Sequence, residues 1–368
     1  MSALERIQLT GYKSIRELDL ELASLNVLIG PNGAGKSNLI SAFELLRQIV
    51  AGNLATYVLK EGGADTFLHY GRSHTERIEM SFTFQGDKAE LHNGYRCTLV
   101  PTAEDTLGFS EESCWFHDPR YAQPMTVELG RGHRETRLST FGGRGQYVAR
   151  HVYRAMQSWR VYHFHDTSAS ARIKGAGDVD DNRDLRDDAS NLAAYLYLLQ
   201  ERYPDHYRGI VASVRLVAPF FDDFDLKPSR LNPDKIRLEW RERGSDAYFN
   251  AHALSDGTLR FISLATLLQM PTLPDTILID EPELGLHPYA ISLLAALLRS
   301  AAMRTQVIVS TQSVTLVNQF GPDDIVVVDR KDGQSVFSHA EPAALGEWLE
   351  DYAMGDLWEK NLFGGRPS

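Results

Sequence analysis

The chain has 368 residues, 43% of them hydrophobic, and a formal net charge of −11. That length can bury a large core as one elaborated domain or two lobes. The acidic balance argues against indiscriminate coating of nucleic acid, and no stretch approaches the ~18 consecutive apolar residues of a membrane span. Met1–Leu22 is too charged for a signal peptide, and Cys97 and Cys114 form no C-x-x-C pair, so a reduced, cytoplasmic chain without a disulfide or a membrane partner is expected.

The first region, residues 1–101, opens with Arg6–Leu22 as two strands around a turn at Gly11–Ser14. The apolar run Leu25–Ile29 leads into GPNGAGKS at Gly30–Ser37, and Asn38–Ile49 carries apolar residues at helical spacing. Strand, loop and helix are the context that G-x-x-x-x-G-K-[ST] requires. Gly30, Gly33 and Gly35 let backbone N–H groups curl around phosphate oxygens, and the helix N-terminus adds partial positive charge. The nucleotide-contacting set is Gly30, Asn32, Gly33, Ala34, Gly35, Lys36, Ser37 and Asn38. Lys36 reaches the β- and γ-phosphates and Ser37 ligates Mg²⁺, so ATP and Mg²⁺ are the expected ligands. Strands Ile78–Phe84 and Tyr95–Val100 complete the region as an antiparallel β subdomain.

The middle region, residues 102–245, begins with the polar loop Thr102–Glu112 and has a glycine-arginine segment at Gly142–Gly145. Helical spacing recurs at Gln146–Ser158, Asn191–Arg202 and His206–Val217, which predicts a mainly helical insertion lobe. Its charge is uneven. Arg131, Arg134, Arg137, Arg144, Arg150, Arg154 and Arg160 are opposed by Glu135 alone among acids, and Asp178, Asp180, Asp181, Asp184, Asp187 and Asp188 follow. Either these blocks pair within the fold or form a solvated face, or Arg144, Arg150 and Arg154 contact DNA phosphates, the last two sharing a helix face. At Arg160–Ser168 the chain reads RVYHFHDTS; His163, His165 and Asp166 have metal-ligand chemistry, with exposed strand-end polar residues as the plain alternative.

The third region, residues 246–340, is preceded by a strand at Ile236–Arg241. Leu254–Thr258 reads LSDGT and opens a helix to Met270, with Ser255 as N-cap and Gly257 leaving the backbone open to an anion. Thr276–Ile279 is a β-branched apolar strand that delivers Asp280 and Glu281 to its tip. Phosphoryl transfer needs a metal-positioning carboxylate and a group that orients water, which assigns Asp280 to Mg²⁺ and Glu281 to general-base work. Helix Tyr289–Ala302 and strands Gln306–Thr311 and Asp324–Asp329 follow. Strands alternating with helices predict an α/β fold with a mostly parallel core sheet. Residues 341–368 hold a helix-like stretch, Ala343–Leu362, and a tail.

The order of GPNGAGKS, LSDGT and ILIDEPELGLHP (Ile277–Pro288) resembles the SMC/RecF/OLD group of ABC ATPases, in particular the compact AAA-family ATPases of bacterial defence and repair loci. The resemblance covers Ile7–Ile49 and Ala253–Arg330. It implies an ABC-type P-loop NTPase that hydrolyses ATP as a head-to-tail homodimer, in which Ser255, Asp256 and Gly257 of one subunit cap the nucleotide of the other. Glu283–Pro288 matches the D-loop, and Val307–Thr311 followed by Gln312 matches the switch strand, which makes Gln312 a catalytic candidate. RVYHFHDTS resembles the place of the Q-loop, where His165 or Asp166 would sense Mg²⁺ and γ-phosphate. Lys13 and Arg16 resemble basic residues that touch nucleotide in relatives.

Three departures matter. Thr258 stands where transporters carry the glutamine of LSGGQ. Gln312 replaces a common histidine and can hydrogen-bond a phosphate oxygen without holding charge, which predicts slow turnover. No sustained heptads lie between Asn38 and Ala253, so no long coiled coil is expected. By resemblance the chain is a DNA-linked sensor or motor in anti-phage defence with a separately encoded effector, or a regulatory ATPase that gates a toxin or nuclease without touching DNA, or a RecF-like repair ATPase. The short remainder after Asp329 leaves no room for an attached Toprim nuclease, so nuclease activity is expected from a partner.

Overall fold

The computed structural model describes residues 3–86, 88, 90–143, 147–340 and 352–365. Leu4–Tyr12 (β1) and Ile15–Glu21 (β2) form a hairpin whose residues alternate between buried and exposed, as a half-buried antiparallel pair must. Leu25–Ile29 (β3) is buried along its whole length and leaves that sheet for another. Lys36–Ala51 (α1) and Leu54–Lys60 (α2) follow. Ile78–Gln85 (β4), His92–Pro101 (β5), Leu107–His117 (β6) and Met125–Gly130 (β7) extend the hairpin into a six-stranded antiparallel sheet, order β2-β1-β4-β5-β6-β7.

After Leu138–Gly143 (α3) and Tyr147–Gln157 (α4), Trp159–Tyr162 (β8) enters the second sheet. Ala176–Asp178 (β9) pairs with Lys235–Arg237 (β11), while Phe221–Phe224 (β10), Glu239–Glu242 (β12) and Tyr248–Asn250 (β13) make a small sheet beside Leu192–Arg202 (α5) and Pro204–Val217 (α6). Asp256–Gln269 (α7), Thr276–Asp280 (β14), Pro288–Ala302 (α8), Gln306–Thr311 (β15), Val314–Val317 (α9), Ile325–Lys331 (β16) and Gln334–His339 (β17) complete the second sheet and its helices. Its order is β17-β16-β3-β15-β14-β8, parallel from β16 to β8, with β17 antiparallel at the edge.

The unbroken apolar runs of β3, β14 and β15 follow from this placement, since a strand covered on both faces has no solvent side. Val27, Ile29, Ile277, Ile279, Val307 and Val309 face one core with α5–α9. Leu28, Leu278 and Ile308 face the other, shared with α1, α4 and the antiparallel sheet. Gln306 joins the two sheets: its buried amide donates to the carbonyls of Leu4 (2.8 Å) and Ala23 (2.9 Å) and accepts from Leu4 N (3.1 Å).

Three expectations change. Thr102–Glu112 is a tight turn followed by β6, so the antiparallel sheet continues past residue 101. The strand was hidden by Glu112, a fully buried carboxylate held by Tyr95 Oη (2.7 Å), His133 Nε2 (2.8 Å), Arg137 N (3.0 Å) and the Thr136 hydroxyl. Ile236–Arg241 is divided at Leu238 between β11 and β12, which belong to different small sheets. Gly142 and Gly143 of the glycine-arginine segment close α3, a helix outside the three expected in this region. Of Ala343–Leu362, residues 343–351 lie outside the described residues; Met354–Glu359 is helical and buries Trp358 completely.

Candidate active site

In a parallel sheet the C-terminal strand ends point one way, and the loops leaving β3, β14 and β15 meet there. The loop after β3 turns through Gly30, Gly33 and Gly35 at φ of 157°, 75° and 118°. A Cβ at Gly30 would lie 2.1 Å from the Val328 carbonyl oxygen, and one at Gly35 would lie 2.0 Å from the Ser335 hydroxyl. Gly33 faces open space, so its backbone angle alone requires glycine. α1 begins at Lys36 and turns the unpaired N–H groups of its first turn into the loop. A chain of hydrogen bonds braces the loop from behind: Asn38 Nδ2 donates to Ser14 Oγ (2.5 Å), Ser14 and Ser335 hydroxyls meet at 2.6 Å, and Ser335 donates to the Ala34 carbonyl (2.5 Å). Asn32, Gly33 and Ser37 are exposed at the mouth.

Lys36 is only 5% exposed, and its ammonium donates to the carbonyls of Gly30 (2.5 Å) and Pro31 (3.1 Å). Burial holds its pKa below the usual lysine value, against the opposing attraction of Glu281, Asp280 and Glu283. Those carboxylates are organised by β15. Ser310 Oγ donates to Asp280, the Glu281 N–H donates to Ser310 O at 2.9 Å, and Gln312 Nε2 donates to the Glu281 carboxylate. Glu281 sits at φ 42°, a left-handed conformation that costs a residue with a Cβ about 1 kcal/mol and persists where its surroundings fix it. Glu283 is buried behind them. Its Oε1 accepts from Thr311 Oγ1 and from Gln312 N (3.2 Å), Oε2 has no hydrogen-bond partner among the described residues, and burial raises its pKa.

α7 stands beside this group as a separate block. Ser255 caps it by accepting from Thr258 N at 3.1 Å, Asp256 pairs with Lys174 at 3.2 Å, and a Cβ on Gly257 would lie 2.3 Å from the Gly285 carbonyl oxygen. Arg260 donates to the carbonyls of Phe164 (3.0 Å), His165 (3.1 Å) and Leu284, tying α7 to the segment after β8 and to the turn at Gly285. Ser255 and Asp256 are exposed at the helix tip.

The remaining candidates separate. His165 is half-buried near Asp280, and burial lowers its pKa. The ligand atoms of His163, His165 and Asp280 all lie within 4.8 Å of one another. Asp166 instead accepts from Ser168 N (3.1 Å) and Oγ (2.7 Å) in its own loop. Lys13, at φ 46°, holds its ammonium 5.7 Å and 5.4 Å from the ring centres of Tyr12 and Phe67, and burial lowers its pKa. Arg16 is exposed near the start of β2. Arg144 lies outside the described residues. Arg150 and Arg154 line one groove of about 490 Å³ with Tyr147, Phe116 and Met125. Arg131 and Arg134 pair with Glu111 (2.8 Å) and Glu104 (2.5 Å). Asp178, Asp181, Asp187 and Asp188 pair with Lys235, Arg186, Arg47 and Arg172, so these four members of the acidic block are engaged within the fold.

Sequence reasoning missed Ser14, Ser335 and Arg260 and gave Glu283 only a place in the D-loop. Ser14 had the only local signal, its place next to Lys13 in a turn; the others act through partners distant in sequence. The cradle, the buried ammonium and two adjacent carboxylates can bind a polyphosphate and activate water. The oxygen donors of Ser37 and Asp280 suit a hard cation such as Mg²⁺.

The sequence model of the family described as "AAA domain, putative AbiEii toxin, Type IV TA system" matches residues 25–318. The OLD nuclease of Thermus scotoductus is 22% identical over 357 residues, which cover 89% of this chain and 63% of that protein. The chain thus spans less than two thirds of that relative's length. Among solved structures, an SMC head bound to the C-winged helix domain of ScpA gives a TM-score of 0.60 at 15% identity, covering 93% of this chain and 99% of that one. An SMC head domain with an extended coiled coil, bound to the C-terminal domain of ScpA, derived from Pyrococcus furiosus, gives 0.58 at 15% identity, covering 95% and 99%. At these identities the likeness is one of fold.

Proposed function

Because the chain belongs to this AAA-domain family and is an SMC/OLD-like ABC-type ATPase in fold, we propose that it binds and hydrolyses ATP, closes as a homodimer around it, and passes that state to DNA or to a separately encoded effector. The observation that carries the reading is the convergence of Lys36, Asp280 and Glu281 at the ends of β3 and β14, under a glycine loop whose shape excludes side chains. Gly30, Asn32, Gly33, Ala34, Gly35, Lys36 and Asn38 hold the phosphates. Ser37 and Asp280 would hold Mg²⁺, which supplies neutralising charge to the phosphate oxygens. Glu281 orients the attacking water and takes its proton, with Gln312 fixing its carboxylate. Ser255, Asp256 and Gly257, at an exposed helix N-terminus, supply the cap to the other subunit's nucleotide. The toxin system named in the family description and the nuclease named in the relative support a role in defence with a toxin or nuclease partner.

Isothermal calorimetry tests the site. Lys36→Ala removes a charged donor and should weaken ATP binding by about 1.5–3 kcal/mol, roughly 10- to 150-fold, with an unchanged circular dichroism spectrum. Full affinity in a folded Lys36→Ala protein would sink the assignment.

The groove on α4 favours DNA as one target of that state. Tyr147 is 81% exposed beside Arg150 and Arg154, which combines a stacking surface with cations spaced for a phosphate backbone. Replacing both arginines with Glu should weaken single-stranded DNA binding irrespective of sequence and flatten its log–log salt slope by about 0.7 per lost contact. Unchanged affinity and slope in a fluorescence-anisotropy titration would leave effector gating without DNA as the reading.

A further inference from the structure

The loop after β8 carries two histidines, His163 and His165, of which only His165 was expected at the nucleotide. Along extended chain, successive side chains alternate, so His163 and His165 fall on one side of the segment while Phe164 is buried on the other. β8 and β14 run parallel with Tyr162 opposite Ile279, and the next residue of each strand is His163 and Asp280. The register therefore brings two imidazoles to a carboxylate 115 residues or more away in sequence, with all three sets of ligand atoms within 4.8 Å of one another.

We propose that His163, His165 and Asp280 form a site for a first-row transition divalent cation of the Mn²⁺ to Zn²⁺ series. Two imidazoles and one carboxylate are the donor set such cations favour, whereas Mg²⁺ prefers oxygen alone. The site is held from outside. Arg260 donates to the carbonyls of Phe164 and His165, the backbone N–H of His163 donates to the Asp187 carbonyl at 2.9 Å, and Ser310 Oγ donates to Asp280, contacts that fix the loop and the carboxylate from outside. Three protein ligands leave coordination positions open to water or a phosphate oxygen. The proposal rests on the ATPase reading in one respect, the sharing of Asp280: a transition cation held there takes the carboxylate that Mg²⁺ would use, which makes nucleotide turnover sensitive to such metals.

The test uses the full, nucleotide-free chain and Co²⁺ as probe, followed by visible absorption and calorimetry. One equivalent should bind with the d–d absorption of imidazole-ligated Co²⁺, and excess Mg²⁺ should not displace it. His163→Ala and His165→Ala should each weaken binding by at least about tenfold; His163 is exposed, so its loss leaves the fold intact. Lys36→Ala should keep the Co²⁺ signal even where ATP binding is lost, which separates this site from the nucleotide assignment. No saturable binding, displacement by Mg²⁺, or unchanged affinity in the double histidine variant would overturn the proposal.

Discussion

Glu283 shows how a single residue records its surroundings. Its carboxyl is buried, with two donors on Oε1 and no partner on Oε2 among the described residues, so the neutral form is favoured. Its folded-state pKa lies above the unfolded value of about 4.3. Below that value both states are protonated and nothing is lost. As pH rises toward the raised value the unfolded chain gives up its proton first, the folded state binds more protons, and stability falls. Glu283→Gln removes this loss. Its melting temperature should match the parent's near pH 3.5 and exceed it by about 2 °C at pH 7.5, for a gain of ~1 kcal/mol. A difference that does not grow with pH in a calorimetric scan would place the proton elsewhere.

At the scale of elements, α7 and the turn at Gly285 are packed backbone to backbone. The Gly257 contact is with a carbonyl oxygen rather than a flexible side chain, so Gly257→Ala must push the helix tip away from that turn. Thermal denaturation should show a loss of about 1–3 kcal/mol, the usual cost of overpacking. Gly33→Ala provides the contrast. Its Cβ meets nothing, and only the φ of 75° opposes it, for about 1 kcal/mol. Equal stability of parent and Gly257→Ala would mean that α7 and the turn move independently.

At the scale of the molecule, Ser255 and Asp256 are exposed at the tip of α7 while Lys36 and Glu281 lie at the ends of other elements, β3 and β14, a division that a second subunit can complete. Glu281→Gln keeps the hydrogen-bonding shape of the water-positioning residue and removes its basicity, so ATP should be bound without turnover. With ATP and Mg²⁺, light scattering of this variant should report twice the monomer mass. Adding Ser255→Arg should restore the monomer. A Glu281→Gln protein that stays monomeric under saturating ATP would rule out ATP-driven dimerisation.

By itself the sequence determined what local chemistry specifies. A glycine loop between an apolar strand and an amphipathic helix, a serine-capped helix and a buried strand ending in Asp-Glu each carry their geometry within a dozen residues, because turn angles, capping and burial period are local properties. That was enough to read the parallel core sheet and the line of Lys36, Asp280 and Glu281. The tertiary structure decided what depends on register and on long-range partners. β6 could not be read because Glu112 is polar yet buried, and only Tyr95, Thr136, Arg137 and His133 make that tolerable. Asp166 was the carboxylate read beside the histidines, and the pairing of β8 with β14 brings Asp280 to them instead. Contacts between residues far apart in the chain depend on how whole strands align, and no window of sequence encodes that alignment.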